Sequence, residues 1–292
     1  MQIGDWTATP DLCEVYQEIR DLGLETNLAE LEAFGFTVIP DALSPDVTGK
    51  LRAAVVRSAE KTFGYPLDVE NETRHQNINV TTYLLYKDPI FEEAVLAEKP
   101  LALITYLLGR SCCLSSLTSH VKGPGPGAGF IHADTNLPTP YSAYSHWANC
   151  NYALTDYTQD DGALGVVPGS HRLHRPPMEW ERGMRENERN PNVIPIEVKA
   201  GTAIVWHGNT WHSSYPRKTP GLRINLATYY CRQHIEPQEL YRQNIPDDVL
   251  ARHGRDSRLA HLLGLHKFNG WAEEGPNLDM RSTMRANHTW QS

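Results

Sequence analysis

An imidazole and a carboxylate stand two residues apart in the segment "GFIHADTNLP", residues 129–138. In a β-strand, residues i and i+2 project from the same face, so His132 and Asp134 would sit side by side. Such a pair is a surface hydrogen-bonded couple, a catalytic acid and base, or two legs of a metal site. A metal needs a third donor, and the segment 202–230, "TAIVWHGNTWHSSYPRKTPGLRINLATYY", offers His207 and His212. The segment reads as two β-segments around the turn "PRKTPG". With Tyr215 opposite Leu222, Ser214 faces Arg223, and His212, Ser214 and Arg223 share one wall. His207 is odd-spaced from His212 and reads as a structural histidine. His212 is therefore the expected third donor.

Two imidazoles and one carboxylate on one face of a metal leave coordination positions open, as in non-haem Fe(II) oxygenases. Zinc or copper would bind the same donors at least as tightly, so the donors alone do not select iron. Arg223 discriminates, because its planar guanidinium fits a carboxylate through two parallel hydrogen bonds. An oxidase with a dicarboxylate co-substrate needs such a group at the far end of that molecule.

These residues must be held by scaffold elements, and the texture of the chain supplies them. Residues 26–64 read as an amphipathic helix, a short strand in "GFTVIPDALS", and a second helix N-capped by Ser44 with Pro45 in its first turn. Residues 90–109 read as a further helix. From about residue 111 to 232, short apolar runs separated by Gly, Pro, Asn and Asp point to a sandwich or barrel rather than βαβ units. From 233 to 292 helical texture returns, as in "DDVLARHGRDSRLAHLLGLH". The expectation is one domain over 1–292: a helical part to 110, a β core, and a helical C-terminal extension.

Composition sets bounds on partners. The chain has 292 residues, 21% charged and 40% hydrophobic, which is ordinary for a folded domain with a core. A formal net charge of -8 argues against nucleic acid or an anionic membrane as partner. Five cysteines without a framework spacing read as reduced thiols, and no signal pattern or membrane-length apolar run is visible. A cytoplasmic protein is expected, as a monomer or a homodimer. Three Asn-x-Ser/Thr sequons, beginning at Asn71, Asn79 and Asn287, read as chance matches.

Several pieces in order resemble the phytanoyl-CoA dioxygenase family of Fe(II)/2-oxoglutarate-dependent oxygenases. "HAD" at 132–134 resembles its His-x-Asp. "DDGALGVVPGSHR" at 160–172 is similar to its Asn-Gly-Ala-Leu…Pro-Gly-Ser-His stretch. "WHSS…GLRINL" at 211–226 resembles its distal histidine with the co-substrate arginine eleven residues later. "LEAFGFTVIPDALSPDVTGKLRAAV" and "NIPDDVLARHG" also resemble it, so the likeness runs over roughly residues 25–265. The resemblance implies a double-stranded β-helix (jelly-roll) core. It implies iron held by His132, Asp134 and His212, and 2-oxoglutarate paired by Arg223 with help from Ser214. Lys122 resembles a polar position near that site. Where the family often has an aromatic residue or Gln facing the co-substrate, this chain has Asn149 and Asn151, and Asn151 is the expected contact. The implied reaction consumes O2 and 2-oxoglutarate, releases succinate and CO2, and oxidises, by default hydroxylates, a C–H bond. Because Asp134 is present, oxygen transfer or desaturation is favoured over halogenation.

The substrate expectation is a small metabolite or natural-product intermediate, since no basic cluster suits a CoA phosphate. Two other readings fit the same residues: a jelly-roll metalloenzyme of other chemistry, such as a zinc hydrolase or isomerase, and a non-catalytic jelly-roll binding module. "GPGPGAG" (123–129) lacks the Gly-Lys-Ser/Thr ending of a phosphate loop and reads as a loop into the metal strand. Ser213 shows no Ser-His-Asp pattern. His171 reads as a turn or supporting residue. The charge-rich segment 172–192 reads as either a solvated loop or a lid, and 71–86 as either pocket lining or scaffold.

Overall fold

Alternation along one strand organises the molecule. In β9 (Arg223–Cys231), Arg223, Asn225, Ala227 and Tyr229 face a cavity, while Ile224, Leu226 and Tyr230 face an apolar core. The same period of two runs through β4 (Trp147–Ala153), with Asn149 and Asn151 against the cavity and Ala148, Cys150 and Tyr152 in the core. A sheet with one polar and one apolar face must bury the apolar one against another layer. Here that layer is helical.

These relations come from a computed structural model that describes residues 10–74, 79–126, 129–265, 271–272 and 275–276. The larger sheet has six strands in the order β1-β7-β4-β9-β3-β2. Its remaining members are β1 (Phe36–Ile39), β2 (Asn79–Thr81), β3 (Cys113–Lys122) and β7 (Ala203–His207). The smaller sheet has the order β6-β5-β8, from β5 (Leu164–Val166), β6 (Ile194–Ile196) and β8 (His212–Ser214). All named pairings are antiparallel. The two sheets enclose the cavity, and the fold is a double-stranded β-helix, as the resemblance implied. A short pair, β10 (Trp271–Ala272) with β11 (Gly275–Pro276), follows the core.

Seven α-helices lie outside the barrel among the described residues. They are α1 (Pro10–Asp21), α2 (Glu25–Phe34), α3 (Pro45–Phe63), α4 (Ile90–Val95), α5 (Glu98–Leu108), α6 (Asp247–His253) and α7 (Arg258–Leu262). α3 begins as its sequence dictates: the Ser44 hydroxyl accepts the Val47 N–H at 3.3 Å, and Pro45 occupies the first turn. The single helix expected over 90–109 is two helices. Pro100, the third residue of α5, has no N–H for the Leu96 carbonyl, so the chain breaks at 96–97. The sheet then satisfies carbonyls at the end of α4: Tyr152 Oη donates to Ala94 O at 2.7 Å and Tyr230 Oη to Val95 O at 3.2 Å. Leu103, Ile104 and Leu108 of α5 are fully buried in the same core, each contributing about 1.5–3 kcal/mol. No helix among the described residues is long and apolar enough to cross a membrane.

The β8–β9 hairpin expected from "PRKTPG" does not form. β8 pairs with β5, placing Ser214 opposite Leu164, whereas β9 lies between β4 and β3, placing Arg223 opposite Lys122. The connecting residues cross between the sheets. Arg217 is committed there: it bridges Gly125 and Asp161 through its backbone, and its buried guanidinium holds the Gly221 and Pro220 carbonyls. Ser214 and Arg223 nonetheless line the same cavity.

Gly35 ties α2 to the end of β7 and to the turn that leads to the distal histidine. Its carbonyl accepts His207 N–H at 2.9 Å and the Thr210 hydroxyl at 2.7 Å. Its φ is +82°, and an added Cβ would lie 2.5 Å from His171 Nδ1 and 2.6 Å from Thr210 Oγ1. Gly35→Ala is therefore expected to cost about 2–4 kcal/mol, through a left-handed backbone and overpacking together. A urea unfolding midpoint unchanged from the parent protein would refute this.

Candidate active site

His132 and His212 are brought together by the backbone before their side chains are considered. His132 N–H donates to His212 O at 3.0 Å, and His212 N–H donates to His132 O at 2.8 Å, in an isolated antiparallel bridge. Directly opposed residues on one face bring their side chains together, and the two imidazole centroids are 4.4 Å apart. Asp134 N–H donates to Gly208 O at 3.0 Å, which fixes the carboxylate beside them. One donor atom from each of His132, Asp134 and His212 lies within 4.8 Å of the others.

The side chains are oriented as ligands. His212 Nδ1 lies 3.0 Å from the Thr210 carbonyl, so Nδ1 carries the proton and Nε2 presents its lone pair to the cavity. Asp134 Oδ2 accepts from Asn149 Nδ2 at 2.7 Å and from Trp206 Nε1 at 3.1 Å. Oδ1 is left 3.6 Å from His212 Nε2 and 3.9 Å from His132 Nε2. Burial, and then the nearby His212, hold the His132 imidazole below its ordinary pKa, which favours the neutral form that a metal requires. The donor set fits a divalent transition metal with open positions. Asn149→Ala is expected to weaken iron binding about 10-fold, because the carboxylate keeps only the Trp206 bond and loses part of its orientation. An iron titration curve that superimposes on that of the parent would contradict this.

The cavity has a volume of about 490 Å3, and Arg223 closes one end of it. The guanidinium is 3% exposed, donates Nη1 to Gly162 O at 2.9 Å, and lies 5.3 Å from the Tyr157 ring centroid. Its Nε has no partner, and no carboxylate pairs with it among the described residues. A buried cation in that state is costly until an anion arrives. Asn151 lines the same cavity and accepts from Asn225 Nδ2, and Ser214 lines it from the opposite sheet. Lys122 stands behind this wall, 1% exposed, donating to Ser214 Oγ at 3.3 Å and to the Tyr215 carbonyl. Burial, then the Arg223 and Arg217 charges, lower its ammonium to about 7.

The structure also assigns places to residues that the sequence left without a role. Two residues before Lys122 on β3, His120 faces the cavity, and burial followed by the Arg223 charge pushes it down to about 3. The strand period could have found His120 and Asn225; Asn149 and Trp206 as carboxylate supports could not be found that way. His207 is buried and accepts the Asn209 N–H at 3.0 Å through Nδ1, outside the triad. The "PGSH" segment buttresses the distal histidine: Ser170 Oγ accepts the Trp211 N–H at 2.8 Å. The segment 172–192 is docked. Arg182 O accepts from Ile131 N–H, Gly183 bridges Phe130, and Arg175 pairs with Glu181 and packs over Trp211. Parts of the 71–86 and 123–129 readings lie outside the described residues, as does the sequon at Asn287.

The family model described as phytanoyl-CoA dioxygenase (PhyH) matches residues 31–225, about two-thirds of the chain, including the triad and Arg223. The chain belongs to the phytanoyl-CoA dioxygenase family. As a PhyH protein it is a non-haem iron, 2-oxoglutarate-dependent dioxygenase. Among its relatives, dioxygenase af480 of Aspergillus fumigatus is 26% identical over 258 residues, covering 85% of this chain and 80% of the relative. Ectoine dioxygenase of Nocardia farcinica is 26% identical over 230 residues, covering 68% of this chain and 74% of the relative. The fold is also that of HygX from Streptomyces hygroscopicus, solved with nickel and 2-oxoglutarate bound. That match has a TM-score of 0.60 at 15% identity, covering 73% of this chain and 88% of HygX.

Proposed function

We propose that His132, Asp134 and His212 hold the iron, and that Arg223, with Ser214 and Asn151, seats the distal carboxylate of 2-oxoglutarate. The enzyme then oxidises, by default hydroxylates, a C–H bond of a small metabolite or natural-product intermediate, with release of succinate and CO2. The observation that carries this reading is Arg223: a buried guanidinium without a carboxylate partner among the described residues, in the same cavity as three oriented metal donors. Iron, when bound, supplies the activation of O2 that no side chain provides.

The chain's own groups do the rest. Asn149 and Trp206 hold the Asp134 carboxylate with one oxygen turned toward the histidines. Lys122 holds Ser214 from behind, and Tyr157, Leu164 and Ile204 supply apolar surface near the co-substrate end. Residues 1–292 form one domain in this reading. A cytoplasmic setting suits its five free cysteines, four of them buried.

The test is an anaerobic titration of apo-protein with Fe(II) and 2-oxoglutarate, followed in the visible spectrum. A weak metal-to-ligand charge-transfer band that needs both components is the expected result. Iron binding without that band would overturn the assignment of 2-oxoglutarate to this cavity.

A further inference from the structure

The cavity is chemically lopsided. The only side chains with a fixed charge that line it among the described residues are Asp134 and Arg223, and both already have roles. Along β9 the side-chain cation is confined to one end: Ala227 and Tyr229 are four and six residues from Arg223, roughly 13 and 20 Å. At the Tyr229 end the charge is that of Asp134, whose backbone carbonyl accepts the Tyr229 hydroxyl at 3.2 Å. At that far end β3 contributes Thr118, opposite Ala227, and Ser116, opposite Tyr229. Gln238, from the segment after β9, completes the wall.

Gln238 is held in place by its neighbours. Its backbone N–H donates to Ser115 Oγ at 3.0 Å, and the Glu239 N–H donates to Ser115 O at 2.8 Å. The Glu239 carboxylate, 3% exposed, accepts Leu117 N–H at 3.0 Å, Tyr83 N–H at 2.6 Å and the Tyr241 hydroxyl. The segment is thereby pinned to the strand that forms the cavity wall. Ser116 Oγ donates to Gln238 Oε1 at 2.8 Å, which turns the amide so that Nε2 is uncommitted. Neither Gln238 Nε2 nor the Thr118 hydroxyl has a protein partner among the described residues.

We infer that Gln238 and Thr118 determine specificity, and that the part of the substrate entering the cavity is uncharged and bears an alcohol, ketone or lactone oxygen near the carbon to be oxidised. This inference rests on the function proposed above. The oxygen accepts from Gln238 Nε2 and Thr118 Oγ1, and the hydrocarbon lies against Ala227, toward the triad. A carboxylate or phosphate in this half would be desolvated beside the Asp134 carboxylate with no side-chain cation to meet it, because Arg223 lies at the other end. The charge of a bound iron would be offset by Asp134 and by 2-oxoglutarate. The exposed Arg182 stands outside the cavity, so an anionic group would have to stay there.

The experiment screens the iron-loaded enzyme, by substrate-stimulated succinate release, against a library half of uncharged alcohols, ketones and lactones and half of carboxylates, phosphates and CoA thioesters. The expected hits are uncharged. For them Gln238→Leu and Thr118→Val each raise KM about three- to tenfold, the worth of one hydrogen bond, with the KM for 2-oxoglutarate changed less than about twofold. Strongest hits among the charged half, no hit among the uncharged half, or an unchanged substrate KM in both variants would each overturn the inference. The anaerobic charge-transfer band separates the two levels: its presence in the parent and both variants keeps the iron site standing while this inference fails. Its absence from the parent removes the underlying reading.

Discussion

His212→Ala is expected to abolish coupled turnover, lowering succinate formation by at least about 1000-fold at saturating iron. Loss of a group that merely orients a ligand costs about 10–100-fold in affinity or activity, and removal of the ligand itself must cost more. The local geometry sharpens the expectation. His212 is 7% exposed and is held between β5 and the 130–132 segment, so its imidazole occupies a fixed ligand position. His207→Ala is the control: that ring faces away from the triad and accepts from Asn209, so its loss lowers stability while iron binding persists. Iron content by metal analysis and the anaerobic band are to be read on both variants. Full iron content and an intact band in His212→Ala would remove it from the ligand set.

Much of this site could be read from short-range pattern. His132 and Asp134 are two apart on an extended segment, Arg223 follows His212 at a fixed interval, and Ser44 announced its own helix. Each of these is a statement about neighbours in the chain, where periodicity and capping chemistry operate. The hairpin that does not form has a different origin. "PRKTPG" has the composition of a hairpin turn, yet Arg217 within it is taken by Gly125 and Asp161, which are distant in sequence. The break between α4 and α5 was legible in Pro100, whose missing N–H ends one helix and starts another.

Long-range contacts were invisible for the same reason. Asn149 and Trp206 meet one oxygen of Asp134 from positions 15 and 72 residues away. No local rule pairs an amide and an indole with a particular carboxylate. The alternation of β4 and β7 nevertheless limits which residues can do so, because only every second residue faces the cavity. Gln238 is harder still, since its place depends on a buried carboxylate, Glu239, that reaches back to β3 and to Tyr83.

Arg223→Met should separate the needs of the fold from those of the chemistry, because the two effects have opposite signs. In the free protein the guanidinium is desolvated and compensated, among the described residues, by the Gly162 carbonyl and the Tyr157 ring. An apolar chain of similar length is therefore expected to raise the stability of the apo-protein by about 1–3 kcal/mol, as when other buried charges are replaced by hydrophobic groups. Binding of 2-oxoglutarate moves the other way. Two charge-assisted hydrogen bonds to its distal carboxylate, at about 1.5–3 kcal/mol each, correspond to a rise of roughly 100-fold or more in the 2-oxoglutarate requirement. Arg223→Lys restores little of this, since an ammonium cannot reproduce the planar fork and its shorter reach leaves the carboxylate partly unpaired. Urea unfolding with and without 2-oxoglutarate reads both quantities at once. The parent gains stability from the co-substrate by mass action and the Met variant does not. An equal gain in both proteins, with an unchanged KM for 2-oxoglutarate, would show that the anion binds elsewhere, and the cationic end of the cavity would then need another ligand to account for it.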